Sequence, residues 1–335
     1  MKFSRIVALA VAVAIPAGVA FFYVDFSRFA EAPLIQAAAT IDVPMGTQLP
    51  GILRELDHQG AHTGNSFYWR LLARQMGVAG KLHAGEYAID PGMSPRMLLT
   101  KMAAGDVIQH HFTIVEGWTF GQLREALARD AGLKPTLAGS ADAAVMRALG
   151  TADTPPEGWF LPETYNYVKG MDDLDILRRA HKAMQEALDK QWAARDANVN
   201  LKSPYEALIL ASIVEKETAR PDERAQIAGV FLHRLKIGMR LQTDPTVIYG
   251  LGAAFDGNLR RADLDTDTPF NTYTRDGLPP TPIALPGAAA LTAVLHPVAT
   301  DALYFVARGD GTHEFSPTLE AHNCAVAKYQ VHHNR

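Results

Sequence analysis

The stretch SPYEALILASIVEKETARPDER, residues 203–224, opens like a helix and closes on carboxylates. Ser203 with Glu206 three residues on reads as a capping box, and Pro204 suits the first helical position. An apolar run follows and ends at Glu215 and Glu217, although acidic side chains are costly to bury unless paired or used. At roughly 100° per residue from Ala207, Leu210 falls near about 300°, Ile213 about 240°, Val214 about 340° and Glu217 about 280°. Glu217 thus lies on the apolar face. Glu215 lies on the flank beside Leu208, and Ser212 and Lys216 mark the polar side. The two glutamates diverge by roughly 200° about the axis and cannot form a dyad with each other. Apolar surroundings disfavour the ionised carboxyl and keep a proton available near neutral pH, as a general acid requires. The same position also suits a buried ion pair with Arg234 or Arg240, and helix geometry leaves both readings open. Pro221 is expected to end or kink the helix, with a second helix over 222–237 stopping at Gly238.

Upstream, a long amphipathic helix is predicted over 173–194, and GTADTPPEGWF (150–160) interrupts the chain with two prolines, opening a second domain at 151. Before that break, IDVPMGTQLPGILREL (41–56), YAIDPGMSPRMLLTKM (87–102) and FTIVEGWTFGQLREAL (112–127) share one plan. Each has a short strand, a turn glycine (Gly46, Gly92, Gly117), a capping Thr47, Ser94 or Thr119, and an amphipathic helix. These strand–turn–helix units loosely resemble the LysM glycan-binding module; ordinary α+β building blocks are the alternative. Downstream, 239–321 reads as loop-rich with short strands such as ALYFVA (302–307), and GLPPTPIALPG (277–287) as rigid and non-helical.

The 335 residues suffice for two domains and a sizeable core, and 48% apolar with 20% charged residues is a globular composition. A net charge of −4, with no basic stripe, gives no reason to expect nucleic acid. Cys324, the lone cysteine, excludes an intrachain disulfide. Lys2 and Arg5 precede an uncharged run over 6–24, whose nineteen residues reach roughly 28 Å, about the hydrocarbon thickness of a bilayer. The positive flank puts the N-terminus in the cytoplasm and the body outside it. A cleavable signal peptide, with Gly18-Val19-Ala20 as its site, is the competing reading. The expected organisation is a cytoplasmic tip and transmembrane anchor over 1–24, a linker over 25–39, a LysM-like region over 40–150 and an α+β catalytic domain over 151–335. Without ATP outside the cytoplasm, the chemistry should be hydrolysis, transfer or elimination.

LASIVEKETARPDERAQIAGVFLHRLKIGMRLQTDPTVIYGLG (210–252), EGWFLPETY (157–165), NTYTRDGLPPTPIALPG (271–287) and HPVATDALYFVARGDGTHEFSPTLEAHN (296–323) together resemble the YceG-like family of endolytic murein transglycosylases. The likeness runs over essentially the whole chain, with Phe270 standing where the family often has Tyr. It implies a membrane-anchored lyase on the outer side of the inner membrane, cleaving the β-1,4 bond between N-acetylmuramic acid and N-acetylglucosamine inside peptidoglycan strands. It further implies work close to the membrane, ending nascent chains beside peptidoglycan synthases. The family's catalytic acid maps onto Glu217, and Glu215 is left as support.

Such an enzyme manages with one carboxylate and no metal or cofactor, because the muramic 6-hydroxyl is a tethered nucleophile that leaves a 1,6-anhydro end. Tyr273, Gln242, Asn271, Asp244 and Glu163 are expected to bind sugar or order the loops. Asp244 or Glu163 would be the partner in a two-carboxylate hydrolase. A non-catalytic peptidoglycan-binding scaffold is the remaining alternative. The histidines offer no metal spacing. His110 and His111 alternate on a strand, His296, His313 and His322 are scattered, and His332-His333 close the chain. A Ser-His-Asp enzyme lacks its Gly-x-Ser-x-Gly turn.

Overall fold

The computed structural model describes residues 2–331, with side chains over 13–330; His332 and His333 lie outside them. The fold is α+β. In chain order the elements are α1 (Lys2–Glu31), β1 (Ala39–Val43), α2 (Leu49–His58), α3 (Ser66–Gln75), β2 (Gly85–Ile89), α4 (Pro95–Ala104), β3 (His110–Thr113), α5 (Phe120–Arg129), α6 (Asp142–Ala148) and β4 (Thr164–Tyr167). There follow α7 (Asp173–Ala193), α8 (Pro204–Glu217), α9 (Arg224–Lys236), α10 (Asp244–Leu251), α11 (Arg261–Asp265), α12 (Ala288–Leu295), β5 (Tyr304–Ala307), β6 (His313–Ser316) and α13 (Leu319–Val326). Three two-stranded sheets pair β1 with β2, β3 with β4 and β5 with β6. The chain divides into two compact units, Met1–His110 with Asn166–Met171, and His111–Tyr165 with Asp172–Arg335.

In the first unit, β1 and β2 run antiparallel from Ala39 opposite Ile89 to Val43 opposite Gly85, with α2 and α3 between them in sequence. Ile41, Leu56, Trp69, Leu72 and Leu98 form its core. The Trp69 indole, fully buried, donates to the Thr63 carbonyl at 2.7 Å, satisfying its one polar atom. Of the expected caps, Ser94 and Thr119 accept from Met97 and Gln122, but the residue before α2 is Gln48, not Thr47, and its side chain makes no cap bond. The helix α1 continues past Val24 to Glu31, and Val13–Glu31 is long and apolar enough to cross a membrane. Phe26, Ala30, Leu34 and Ile35 are buried in this unit's core, so residues 25–39, expected as a linker, contribute structure to it.

The second unit begins at His111, ahead of the Pro-rich break at which the sequence reading placed its start. The third strand–turn–helix segment is the reason. Phe120 at the head of α5 stacks on Phe160 at 5.1 Å, and the Gly117 N–H and Trp118 carbonyl bond reciprocally to Leu285. This unit is organised around α8, which packs against α7, α9 and α12. All eight residues from Ala207 to Val214 are buried, each large apolar one contributing about 1.5–3 kcal/mol. The polar face expected at Ser212 is therefore not a solvent face. Ser212 is fully buried, donates to the Ile209 carbonyl and accepts from the Ile283 N–H, which ties the proline-rich 277–287 segment onto the helix. The Ser203 hydroxyl caps α8, while Glu206 reaches back to the Lys202 N–H instead of closing the box on Ser203. The region read as loop-rich holds the buried helix α12, whose apolar sequence carries no periodic polar face to announce it.

Candidate active site

Helix α8 ends at Glu217, four residues before Pro221. Proline disfavours a helical conformation at Arg220, and the extended Thr218 closes a turn by accepting the Arg220 N–H on its hydroxyl at 3.0 Å. Glu217 is thus the last helical residue and projects into a cleft of about 500 Å³. Thr243 and Asp244 at the start of α10, Tyr273, the β5–β6 pair and α13 form the other walls.

Both glutamates are shielded, so the helix count alone does not separate them; their partners do. The Glu215 side chain is 5% exposed, accepts the Gly287 N–H at 2.9 Å and pairs with Arg224 at 3.3 Å. Burial pushes this carboxyl above the usual range as well, with the Gly287 bond and Arg224 opposing, and the side chain is committed to joining α8 to the 287 turn and to α9. Glu217 has no cation in contact among the described residues. Its Oε1 accepts from the Thr243 hydroxyl, a neutral partner. Burial pushes its carboxyl above the usual range, and the neighbouring Asp244 adds to this. The Thr243 bond, and His313 and Arg234 nearby, oppose without reversing it. The negative end of the helix dipole works in the same direction as burial. A carboxyl group whose pKa is raised holds its proton to higher pH than a free one, and where it opens on a cleft it can deliver that proton to a bound leaving group.

Of the other residues singled out in the sequence, Tyr273, Gln242 and Asp244 line this cleft. The Tyr273 hydroxyl donates to Asp244 Oδ1 at 2.6 Å, bridging two wall segments. Among the described residues Gln242 is the one non-glycine with positive φ, at 49°, and its N–H donates to the Thr272 carbonyl. A left-handed backbone costs such a residue about 1–2 kcal/mol, a strain held in place here beside the cleft. Asn271 is fully buried behind it. Its amide bonds the Leu264 and Thr266 carbonyls and its oxygen accepts the Tyr273 N–H, so it holds Tyr273 in place without reaching the cleft. Glu163 is exposed and does not line the cleft; in its motif the buried carboxylate is Glu157. Glu157 accepts the Phe120 N–H at 2.9 Å and the Tyr249 hydroxyl at 3.1 Å, and desolvation raises its pKa to about 7.

Sequence reasoning passed over Thr243 and Tyr304 and gave Arg234 and His313 no part in a cleft, yet all four stand in its wall. The Glu223 carboxylate receives both the His313 N–H, at 2.9 Å, and the ring Nδ1 contact, at 2.7 Å. No spacing rule links residues ninety positions apart. Arg234 was weighed as a Glu217 ion-pair partner. Instead its guanidinium bonds the carbonyls of Leu303 and Leu241, and Arg240 pairs with Asp276. Phe270 stands against Tyr249 at 4.9 Å, a packing contact. Among the described residues no cluster of three His, Cys, Asp or Glu side chains forms a metal site.

Comparison with known proteins agrees over most of the chain. The model of the YceG-like family matches residues 41–328. A Bacillus subtilis (strain 168) protein named endolytic murein transglycosylase is 31% identical over 314 residues, spanning 88% of this chain and 85% of its own. One of the same name from Streptococcus pneumoniae (strain D39) is 26% identical, covering 87% of this chain and 58% of its own. A crystal structure of a YceG-like protein from Listeria monocytogenes superposes with a TM-score of 0.52 at 30% identity, over 87% of this chain and 99% of that one. With a family match over residues 41–328, the chain belongs to the YceG-like family.

Proposed function

We propose that the protein is an endolytic lytic transglycosylase of peptidoglycan with Glu217 as its single acid and base. The observation that carries this is the state of Glu217: burial favours its protonated form, its one hydrogen-bond partner among the described residues is a neutral hydroxyl, and it faces a cleft. The names of its relatives supply the substrate class. Glu217 gives its proton to the glycosidic oxygen as the bond to the muramic C1 breaks and an oxocarbenium-like centre develops. The carboxylate so formed takes the proton of the muramic 6-hydroxyl, whose oxygen attacks C1. A 1,6-anhydro ring forms, Glu217 is reprotonated and no water is consumed. Tethering of the nucleophile replaces the second carboxylate and its activated water. Tyr273 and Gln242, with Asp244 behind the tyrosine hydroxyl, hold the sugar.

The apolar α1 would anchor the enzyme in the inner membrane with both units outside the cytoplasm, where cleavage would limit nascent strands beside synthases. The strand–helix–helix–strand order of the first unit supports a LysM-like glycan-binding role for it. Asp244 shares the cleft with Glu217, which favours a two-carboxylate hydrolase as second reading.

Mass spectrometry of purified peptidoglycan digested by the detergent-solubilised full chain separates these readings. Internal fragments ending in 1,6-anhydromuramic acid, absent with Glu217→Gln, are expected. Reducing ends carrying one added water would establish the hydrolase. Glycan binding without cleavage by the unaltered protein would make it a scaffold.

A further inference from the structure

Arg234 is a cation without an anion. It is 6% exposed, and no carboxylate lies within ion-pair distance of it among the described residues. Burying a guanidinium without a countercharge is expensive, and burial accordingly weakens its hold on its proton, although Arg stays charged. Three of its N–H groups are spent on backbone: Nε donates to the Leu303 carbonyl at 2.6 Å, and Nη1 to those of Leu241 at 2.5 Å and Arg240 at 3.5 Å. The Tyr304 ring packs against the guanidinium at 5.3 Å. The group is therefore fixed in plane and position. Nη2 makes no hydrogen bond among the described residues, and Arg234 lines the cleft with Glu217, so Nη2 is the nitrogen left to meet a ligand there. A fixed NH2 group on an unanswered positive charge is a receptor for one carboxylate oxygen.

We infer that Arg234 recognises a carboxylate carried by the muramic side of the glycan and thereby sets which of the alternating β-1,4 bonds reaches Glu217. This rests on the peptidoglycan reading above. The muramic sugar alone carries a 3-O-lactyl group, on the same ring whose C1 is attacked. Glucosamine placed there would leave the Arg234 charge buried and unanswered, a penalty against the wrong register. The carboxylate has two sources: the free lactyl group of a peptide-free strand, or the acidic residues of a stem peptide.

Binding to the full-length Glu217→Gln protein tests this without turnover. Four fluorescent glycan oligomers serve as probes: peptide-free strands with the lactyl carboxylates free or capped as methylamides, and peptide-bearing strands with the stem carboxylates free or capped. Capping is expected to weaken binding about tenfold in one pair, and that pair identifies the source. Adding Arg234→Gln should abolish the difference between capped and free ligand. Arg234→Lys, which keeps the charge and loses the fixed planar geometry, should reduce it, and serves if the glutamine variant does not fold. A capping effect below about threefold in both pairs, or one undiminished in the Arg234 variants, overturns the assignment. Loss of the transglycosylase reading would show separately, as missing anhydro ends with the unaltered enzyme.

Discussion

Replacing Thr243 by Val removes the hydroxyl that contacts Glu217 and little else. The two side chains have the same shape, and the Thr243 hydroxyl has no other partner among the described residues. The main-chain bonds at this residue, N–H to the Thr272 hydroxyl at 3.1 Å and carbonyl from Thr246 at 2.7 Å, do not involve the side chain. A hydrogen bond to a charged group is worth about 1.5–3 kcal/mol, and one pH unit corresponds to about 1.4 kcal/mol. The bond favours the carboxylate, so its loss adds to the upward push of burial on Glu217. For an acid that must start protonated, activity is lost as pH rises through its pKa. The alkaline limb of kcat/KM should therefore move up by about one to two pH units in Thr243→Val. Thr243→Ser, which keeps the donor, should leave the limb near that of the unaltered enzyme. The assay is release of anhydro-ended fragments from purified glycan strands between pH 5 and 9, with thermal melting to confirm folding. A limb that stays put or moves down in Thr243→Val would refute the view that Glu217 is the titrating acid held by this hydroxyl.

Glu157, whose pKa rises from 4.5 to about 7, is protonated in the fold while ionised in the unfolded chain between those values. Unfolding there releases a proton, so stability falls as pH rises through that window, by up to about 3 kcal/mol. Glu157→Gln should flatten that dependence in urea denaturation at pH 5 and 8, and an unchanged slope would count against it. Glu215→Gln leaves Arg224 with only Glu116, at 3.6 Å, and should cost about 3 kcal/mol in chemical denaturation. A loss under 1 kcal/mol would mean the pair is dispensable. Gly229 lies in α9 where an added Cβ would stand 2.3 Å from the Val298 carbonyl oxygen. Gly229→Ala should therefore destabilise by about 3 kcal/mol, visible as a lowered Tm, whereas an unchanged Tm would show that the 298 segment yields freely.

Local features of the chain wrote much of this molecule. The Ser203 cap, Pro204 and the run to Val214 specify α8, because they act within a few residues of one another. So do the positive-φ turns at Gly46, Gly92 and Gly117 and the apolar stretch of α1. Glu217 was legible too, as a carboxylate at the end of a buried helix within long family motifs. Tertiary structure alone decided the rest. Whether Ser212 and Glu215 meet solvent depends on the 283–287 segment, more than seventy residues away. Asn271 and Tyr273 are two residues apart, yet one is sealed behind the cleft and the other lines it, since backbone direction in a loop carries no period to read. The local sequence gives carboxylates their positions along the chain, but their partners arrive from elsewhere. Arg224 answers Glu215, Tyr273 reaches Asp244, and Glu217 is left with a threonine hydroxyl. Desolvation and charge are summed over all such neighbours, so a pKa belongs to the fold and not to the segment that carries the residue.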